Sequence, residues 1–216
     1  MTCCSSCSNT TGTNDFFNSQ SKRYLKQYRK KGLAKEQRLL EAGITGSGIQ
    51  NKSILEVGCG IGALHLTLMK NGAEKSTGID ISEGMITTAK QLAGEFGFAE
   101  RTTYHLGDIV QMNGNIPEAD IVILDKVVCC YKNVFDLLKV SSEKCRQTYA
   151  FSYPNPNILV QISFKGLILI GKLLKWKFYP SWHDWSGLIR TLETYGFKQS
   201  YQNSTFMWNV CVLERK

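Results

Sequence analysis

The sequence predicts an α/β protein: a doubly wound, mostly parallel seven-stranded sheet with a C-terminal antiparallel hairpin and a helical N-terminal cap. Two observations predict this fold. From residue 53 onward, short β-branched runs alternate with segments of helical periodicity, which is the pattern of right-handed β-α-β units. The runs Ser53–Leu55 and Ile121–Leu124 are continuous rather than alternating in hydrophobicity, as expected of strands covered on both faces.

The predicted elements follow one another as strand, helix, strand. The strands are Ser53–Val57, Ser76–Asp80, Thr102–Leu106, Asp120–Leu124 and Thr148–Tyr153, and the helices between them are Ala63–Lys70, Glu83–Glu95 and Val134–Glu143. A further helix near Asp184–Tyr195 ends at Gly196, since glycine commonly terminates helices. Phe197–Tyr201 and Phe206–Leu213 form the closing hairpin.

We expect two regions in the chain: residues 1–50, and a domain of residues 51–216 with an apolar and basic insert at about 156–180. The first region is polar at its start, then forms a basic helix over about Ser19–Glu41, and ends in a glycine-rich linker, Gly43–Gly48. We interpret it as a cap placed over the domain.

Composition and charge limit the classes of protein. The chain is 43% hydrophobic and 11% aromatic, which excludes a disordered chain. It begins without a secretory signal, so we expect a cytoplasmic protein with reduced cysteines. Residues 158–178 contain four lysines and no acidic residue. We expect the apolar stretch Ile158–Leu174, too charged to span a bilayer, to lie on a membrane surface or to line an apolar cleft.

The strongest functional signal is the loop Glu56-Val-Gly58-Cys59-Gly60-Ile-Gly62, between a buried strand and a helix. Glycines let the backbone turn sharply and approach a ligand closely, and the following helix offers its positive end to an anionic group. Residues 58–63 also fit the dinucleotide pattern G-x-G-x-x-A, so the loop alone leaves the cofactor open.

Two acids follow the next strands. Asp80 ends the second strand, where a carboxylate accepts the ribose hydroxyls of a nucleotide-type cofactor. Asp108 follows the third strand, where it can accept the exocyclic amine of an adenine while Ile109 packs on the ring.

Together, Glu56-x-Gly-x-Gly-x-Gly62, Asp80 and Gly107-Asp108 resemble the successive motifs of class I S-adenosylmethionine-dependent methyltransferases, over residues 53 to about 153. The resemblance implies a Rossmann-like methyltransferase fold with S-adenosylmethionine as cofactor. It places the glycine loop at the methionine part and the end of the fourth strand beside the methyl donor. The implied cofactor site consists of Glu56, Gly58, Cys59, Gly60, Gly62, Asp80, Ile81, Met85, Asp108, Ile109, Leu124 and Asp125.

The residues after the fourth strand indicate the class of methyl acceptor. Methylation of a nucleic-acid amine favours an Asn/Asp-Pro-Pro-aromatic tetrad there, but the chain has Asp125-Lys-Val-Val128, so nucleic acid is not the expected partner. The aromatic run at residues 176–185 favours a small flat or apolar molecule that accepts the methyl group on a carboxylate or hydroxyl. The segment Ala150–Pro154 and the insert are similar to magnesium-protoporphyrin methyltransferases, which methylate a propionate, although the pair Cys129-Cys130 departs from them.

A catalytic base is optional, because methyl transfer from a sulfonium depends mainly on alignment and exclusion of water. The candidates are His183, oriented by Asp184, and Tyr153. The N-terminal helix is predicted to be a lid, and we expect a chain that lacks residues 1–40 to stay folded without transferring methyl groups. The predicted substrate and lid residues are Phe16, Phe17, Tyr24, Tyr28, Cys129, Cys130, Tyr131 and Trp182.

Two other functions stay open. If the tail bearing Cys3, Cys4 and Cys7 folds over Cys129 and Cys130, the thiols form a soft metal or metalloid site, which predicts a thiol or metalloid methyltransferase. The alternative that is not an enzyme is a membrane-binding or nucleic-acid-binding module that has the same fold. Peripheral membrane contact is therefore a further prediction, and the oligomeric state is left open.

Overall fold

A computed structural model describes residues 7–112, 116–176 and 178–216. The strands are β1 (Ser53–Val57), β2 (Lys75–Asp80), β3 (Thr102–Leu106), β4 (Ala119–Leu124), β5 (Cys145–Pro154), β6 (Phe197–Ser204) and β7 (Trp208–Arg215). The helices are α1 (Cys7–Lys31), α2 (Lys35–Gly46), α3 (Ala63–Lys70), α4 (Glu83–Glu95), α5 (Val134–Glu143), α6 (Ile158–Leu173) and α7 (Trp185–Thr194).

The strands form one seven-stranded sheet in the order β3-β2-β1-β4-β5-β7-β6. The pairs from β3 to β5 are parallel, and β7 pairs antiparallel with both β5 and β6. The predicted fold class is thereby confirmed. Because the strand order reverses between β1 and β4, ligands of such a sheet bind beyond the carboxyl ends of these two strands.

Both faces of the sheet are covered by helices. Alternate residues of β5 point to opposite faces: Tyr149 and Phe151 pack in one buried cluster with Leu188 of α7, and Ala150 packs in the other with Leu40 and Ile44 of α2. Since Leu40 and Ile44 are fully buried, α2 belongs to the core of the domain. The removable part of the N-terminal region therefore ends at Lys31, not at residue 40.

The N-terminal region also differs from its prediction in secondary structure. Instead of one helix over Ser19–Glu41, the chain forms α1 and α2, which are separated at Gly32. Gly32 has a φ of 67°, and its N–H donates to the carbonyl of Tyr28 at 2.7 Å. Such a left-handed glycine ends a helix because it carries no Cβ to clash.

The predicted linker Gly43–Gly48 is wrong for residues 43–46, because Gly43 and Gly46 lie within α2. Gly43 is packed against β6, where an added Cβ would come within 2.5 Å of Cδ1 of Tyr201. This glycine therefore permits a close approach of helix and sheet rather than a flexible connection.

The insert forms α6. Asn157 caps the helix by accepting the N–H of Val160 at 2.9 Å, and Val160 and Gly171 are its buried residues. In the described part of the chain, no helix has the length and apolar content needed to cross a membrane.

Candidate functional site

A cavity of about 720 Å³ opens at the carboxyl edge of β1, β2 and β4. Its wall is built by the glycine loop, by the segments that follow β2, β3 and β4, by α1 and α2, and by α6 with the segment after it. The predicted site residues in this wall are Phe17, Tyr24, Glu56, Gly58, Cys59, Gly60, Asp80, Ile81, Met85, Asp108, Ile109, Asp125, Cys129, Cys130 and Tyr131.

The glycine loop has the left-handed backbone that its sequence predicts. Gly58, Gly60 and Gly62 have φ values of 65°, 54° and 76°. A Cβ added to Gly58 would collide with Cγ2 of Val127, whereas one added to Gly60 would meet nothing within 4 Å. Gly58 is thus required by the neighbouring β4 segment, while Gly60 borders open space on the cavity side.

Asp80 ties the end of β2 to this loop. Its Oδ2 accepts the N–H of Gly60 at 2.8 Å, and its Oδ1 accepts the N–H of Ser82 at 2.8 Å. Burial raises the pKa of the Asp80 carboxyl, and the two amide N–H groups partly oppose that rise. The carboxylate holds the loop in shape and keeps lone pairs for a ligand in the cavity.

The side chains of Glu56, His65 and Tyr104 form a row of hydrogen-bonded groups next to the glycine loop. Nδ1 of His65 lies 2.6 Å from Oε2 of Glu56, and its Nε2 lies 2.9 Å from the hydroxyl of Tyr104. Burial raises the pKa of Glu56, and the hydrogen bond and charge of His65 work against that rise. Sequence reasoning did not predict the contact between His65 and Tyr104, because a histidine on α3 and a tyrosine on β3 meet only in the folded sheet.

Asp108 is bonded to a second predicted residue, Tyr131. The Tyr131 hydroxyl donates to Oδ2 of Asp108 at 2.5 Å, and the N–H of Val110 donates to Oδ1 at 3.0 Å. Burial, together with the Asp108 carboxylate, raises the pKa of Tyr131, so its hydroxyl stays a donor. Asp108, the predicted acceptor of the adenine amine, thus already accepts one hydrogen bond from the segment after β4.

The end of β4 is fastened to α2. Asp125 accepts the Ser152 hydroxyl on Oδ1 at 2.6 Å and the Gln37 amide on Oδ2 at 2.9 Å. Lys126, which has a φ of 60°, forms an ion pair with Glu36. Burial lowers the pKa of Lys126, but the carboxylates of Asp125 and Glu36 outweigh this effect and raise it. Sequence reasoning had no signal for the contact between Gln37 and Asp125, which are 88 positions apart.

α1 lies across the mouth of the cavity. Oδ1 of Asn18 accepts the Ser82 hydroxyl at 2.7 Å and the N–H of Gly84 at 2.9 Å, so α1 docks on the first turn of α4. The ring of Phe17 meets the ring of Phe178 edge-on, with centroids 5.6 Å apart. Tyr28 lies farther away, beside Thr67 and Phe96. α1 therefore borders the cavity through Phe17 and Tyr24, and its role as a lid stays a prediction.

Six predicted site residues are not among the described residues that line the cavity: His183, Tyr153, Trp182, Leu124, Gly62 and Tyr28. Nε2 of His183 lies 2.9 Å from the carbonyl of Tyr131, and burial lowers its pKa, so the neutral ring is a donor there. Tyr153 is 3% exposed and stacks between Phe151 and Trp185. Trp182 packs on Phe164 and Trp185, and Leu124 is fully buried. This geometry does not support either candidate base.

The cysteine cluster is described only in part. Sγ of Cys129 and Sγ of Cys130 lie 3.9 Å apart, and both thiols point at the carbonyl of Lys126. Cys3 and Cys4 lie outside the described residues, as do the side chains of Cys7 and Phe16. Within the part that is described, no three His, Cys, Asp or Glu side chains are grouped as metal ligands.

The cavity has two chemically different ends. Among its described residues, five carboxylates outnumber two lysines; they are Glu56, Asp80, Asp108, Asp125 and Asp136, against Lys126 and Lys132. The part of the wall built by α1, α6, the segment after α6 and β7 is aromatic and aliphatic, with Phe17, Phe164, Leu167, Phe178 and Trp208. An acidic end favours a cationic ligand, and the apolar end favours a hydrophobic one.

Comparisons with known proteins agree with this architecture. A family model described as a methyltransferase domain matches residues 54–147. Protein arginine N-methyltransferase 1 of Saccharomyces cerevisiae is 35% identical over 74 residues, which are 34% of this chain and 21% of that protein. Ribosomal protein L11 methyltransferase of Haemophilus influenzae is 27% identical over 95 residues, which are 44% of this chain and 31% of that protein. The similarity thus covers less than a third of either relative.

Solved structures share the fold over most of the chain. Magnesium protoporphyrin IX methyltransferase from Synechocystis, with bound SAH, superimposes with a TM-score of 0.74 at 21% identity, covering 95% of this chain and 99% of that one. Geranyl diphosphate C-methyltransferase from Streptomyces coelicolor gives a TM-score of 0.62 at 10% identity, covering 82% and 77%. The match to the methyltransferase-domain model thus spans β1 to the start of β5, and the chain shares the fold of these solved methyltransferases.

Proposed function

We propose that the chain binds S-adenosylmethionine at the acidic end of the cavity and transfers its methyl group to a small flat or apolar molecule at the aromatic end. The observation that carries this proposal is the cavity itself, in which one continuous space joins these two surfaces. Its volume lies in the range of small-molecule sites, roughly 300–1,000 Å³.

The acidic end fits the cofactor. S-Adenosylmethionine carries a sulfonium and an ammonium, and the carboxylates at this end suit both cations. Gly58 and Gly60 let the backbone come close to the methionine part, Asp80 accepts the ribose hydroxyls, and Asp108 with Ile109 meets the adenine. When bound, the cofactor supplies an activated methyl group on its sulfonium.

The aromatic end fits the acceptor. Phe164 and Trp208 lie with ring centroids 6.3 Å apart at this end, and flat apolar molecules pack well on such faces. Nζ of Lys126 lies 5.5 Å from the centroid of the Trp208 ring, so a cation borders this wall. An acceptor that bears a carboxylate would find an apolar surface there and would share Lys126 with its ion-pair partner Glu36. The likeness to magnesium protoporphyrin IX methyltransferase supports testing this acceptor class first.

Methyl transfer requires the chain to align the reacting groups and to exclude water, and it does not require a base. A carboxylate acceptor needs no deprotonation at neutral pH, and among the described lining residues none is a histidine. α1 and the Phe17–Phe178 contact would exclude water from the reacting groups. The thiol or metalloid acceptor and the non-catalytic module have no comparable support in the described residues, and the cytoplasmic location stays a prediction.

Transfer of labelled methyl groups tests the proposal. The purified chain, labelled S-adenosylmethionine and a panel of aromatic carboxylic acids should yield labelled esters, while protein and nucleic acid in the same mixture stay unlabelled. At limiting S-adenosylmethionine, Asp80→Asn should lower the label more than about tenfold, and the matched control Asp184→Asn, an exposed carboxylate, should keep it. Label in protein or nucleic acid, or none with any acceptor, would contradict the proposed acceptor class.

Calorimetry with S-adenosylhomocysteine separates the cofactor from the acceptor. We expect Asp80→Asn to weaken binding by about 1.5–3 kcal/mol, the usual worth of hydrogen bonds to a charged group, and Asp184→Asn to leave it unchanged. Equal affinity of Asp80→Asn and the unaltered chain would overturn the assignment of Asp80.

A further inference from the structure

The outer face of α6 is apolar, although it faces solvent. Ile158, Ile162, Leu169 and Leu173 are 64%, 61%, 58% and 72% exposed. Their spacing of four, seven and four residues places them on one stripe of the helix. Since α6 packs on the domain through Val160 and Gly171, this stripe points away from the core.

The turn between β6 and β7 extends the same surface. Phe206 at this turn is 65% exposed. Its carbonyl accepts the side-chain amide of Asn157 at 2.9 Å, and Asn155 donates to the carbonyl of Thr205 at 3.0 Å. These bonds fix Phe206 beside the first turn of α6. We call the surface formed by these five exposed apolar residues the α6 face: Ile158, Ile162, Leu169, Leu173 and Phe206.

Lysines border this face. Lys165 and Lys172 are seven residues apart on α6, so they form a second stripe beside the apolar one. Lys175 follows the helix, and no acidic residue occurs between positions 156 and 183. A second copy of the chain is a poor occupant of this face, because it would bring lysines against lysines. A surface that is both apolar and anionic is complementary.

We propose that the α6 face, with Lys165, Lys172 and Lys175, docks on an anionic lipid bilayer. α6 lies in the plane of the headgroups, its apolar stripe enters the boundary with the acyl chains, and its lysines contact the lipid phosphates. The inner side of the same helix carries Phe164 and Leu167, which line the cavity. Docking is independent of the proposed methyl transfer and is measured without it.

Flotation with lipid vesicles tests the docking. The full chain should float with phosphatidylcholine vesicles rich in phosphatidylserine, less with pure phosphatidylcholine, and less as salt is raised. Ile162→Asn with Leu169→Asn should abolish flotation, and Phe135→Asn, which alters an exposed aromatic residue on α5, should not. Lys165→Gln with Lys172→Gln should weaken binding roughly 25-fold, at about fivefold for each surface lysine. The control Lys90→Gln with Lys139→Gln should leave it unchanged.

Other results overturn the proposal. Equal flotation of the unaltered chain and the Ile162, Leu169 double variant excludes the α6 face as the docking surface. Absence of flotation with phosphatidylserine vesicles does the same. Sedimentation that shows a dimer in the unaltered chain, a monomer in this variant and no vesicle binding would assign the face to a second copy of the chain.

Discussion

The two ends of the cavity are built in different ways. At the acidic end, two of the carboxylates are held by groups close to strand ends: Asp80 by the backbone of Gly60 and Ser82, and Glu56 by His65. At the aromatic end, Phe17, Phe178 and Trp208 come from three segments far apart in the chain. A binding surface made at strand ends is fixed by the sheet, whereas one made by distant segments depends on how the cap and the insert dock.

Removal of α1 should break the aromatic end and spare the sheet. Deletion of residues 1–31 takes away Phe17 and Tyr24, yet of the side chains described in α1 only Ser21 is buried. We expect the rate of methyl transfer to fall about 100-fold, because loss of α1 misaligns the reacting groups and admits water. The melting temperature should change little.

The contrasting variant is Leu40→Ala in α2. Leu40 is fully buried, so its truncation should cost about 2–5 kcal/mol of the free energy of unfolding. Denaturant melts of both proteins, together with transfer of labelled methyl groups, distinguish a lid from a part of the core. Full activity after deletion of residues 1–31 would show that α1 is not a lid.

Substitution of two loop glycines should separate backbone shape from side-chain space at the acidic end. Gly58→Ala and Gly60→Ala both place a Cβ on a left-handed residue, but only at Gly58 does that Cβ collide with Val127. We expect Gly58→Ala to be the less stable of the two variants by about 1–3 kcal/mol, the usual cost of overpacking. Chemical denaturation measures the difference, and equal stabilities would contradict the packing argument.

The acidic end was predictable from sequence because its parts are local. The glycines, Asp80 and Asp108 each follow a strand whose hydrophobic run is visible, and the parallel sheet brings these strand ends to one edge. No comparable sequence pattern identifies Gln37, Phe164 or Trp208 as residues of the cavity. The positions of Gln37 and Phe164 depend on the break at Gly32 and on the docking of α6, which are set by tertiary contacts. The position of Trp208 depends on the antiparallel pairing of β7 with β5. The position of His183 was not predictable for the same reason, since its partner is a backbone carbonyl that no sequence pattern reveals.

The pH dependence of stability should differ in sign between a carboxylate of the cavity and one remote from it. Burial raises the pKa of Glu56, so its contribution to stability is present at low pH and is lost as pH rises through the raised pKa. Asp120 at the start of β4 is the opposite case. Burial tends to raise its pKa, but hydrogen bonds from Ser53 and the nearby cations lower it overall, so its contribution is lost as pH falls through the lowered pKa.

Thermal unfolding from pH 3 to pH 8 measures this contrast. Relative to the unaltered chain, Glu56→Gln should gain stability as pH rises, and Asp120→Asn should lose it. The substituted amides also change hydrogen bonds, but this shifts each stability curve by the same amount at every pH. The slopes of the two variants against pH therefore stay opposite in sign. Slopes of the same sign would refute the effect of burial on Glu56.

The smallest expected effect concerns the bond between Tyr131 and Asp108, where an adenine amine and a tyrosine hydroxyl can donate to the same carboxylate. The Tyr131 hydroxyl lies 2.5 Å from Oδ2 of Asp108, the carboxylate proposed to accept the adenine amine. If both donors compete for it, Tyr131→Phe removes the competitor and keeps the ring in the wall. One net hydrogen bond is worth about 0.5–1.5 kcal/mol, so the affinity for S-adenosylhomocysteine should rise about fivefold.

Calorimetry decides the sign: a lower affinity of Tyr131→Phe would show that the hydroxyl helps Asp108 to hold the adenine rather than competing with it. Asp108→Asn should weaken binding in either case.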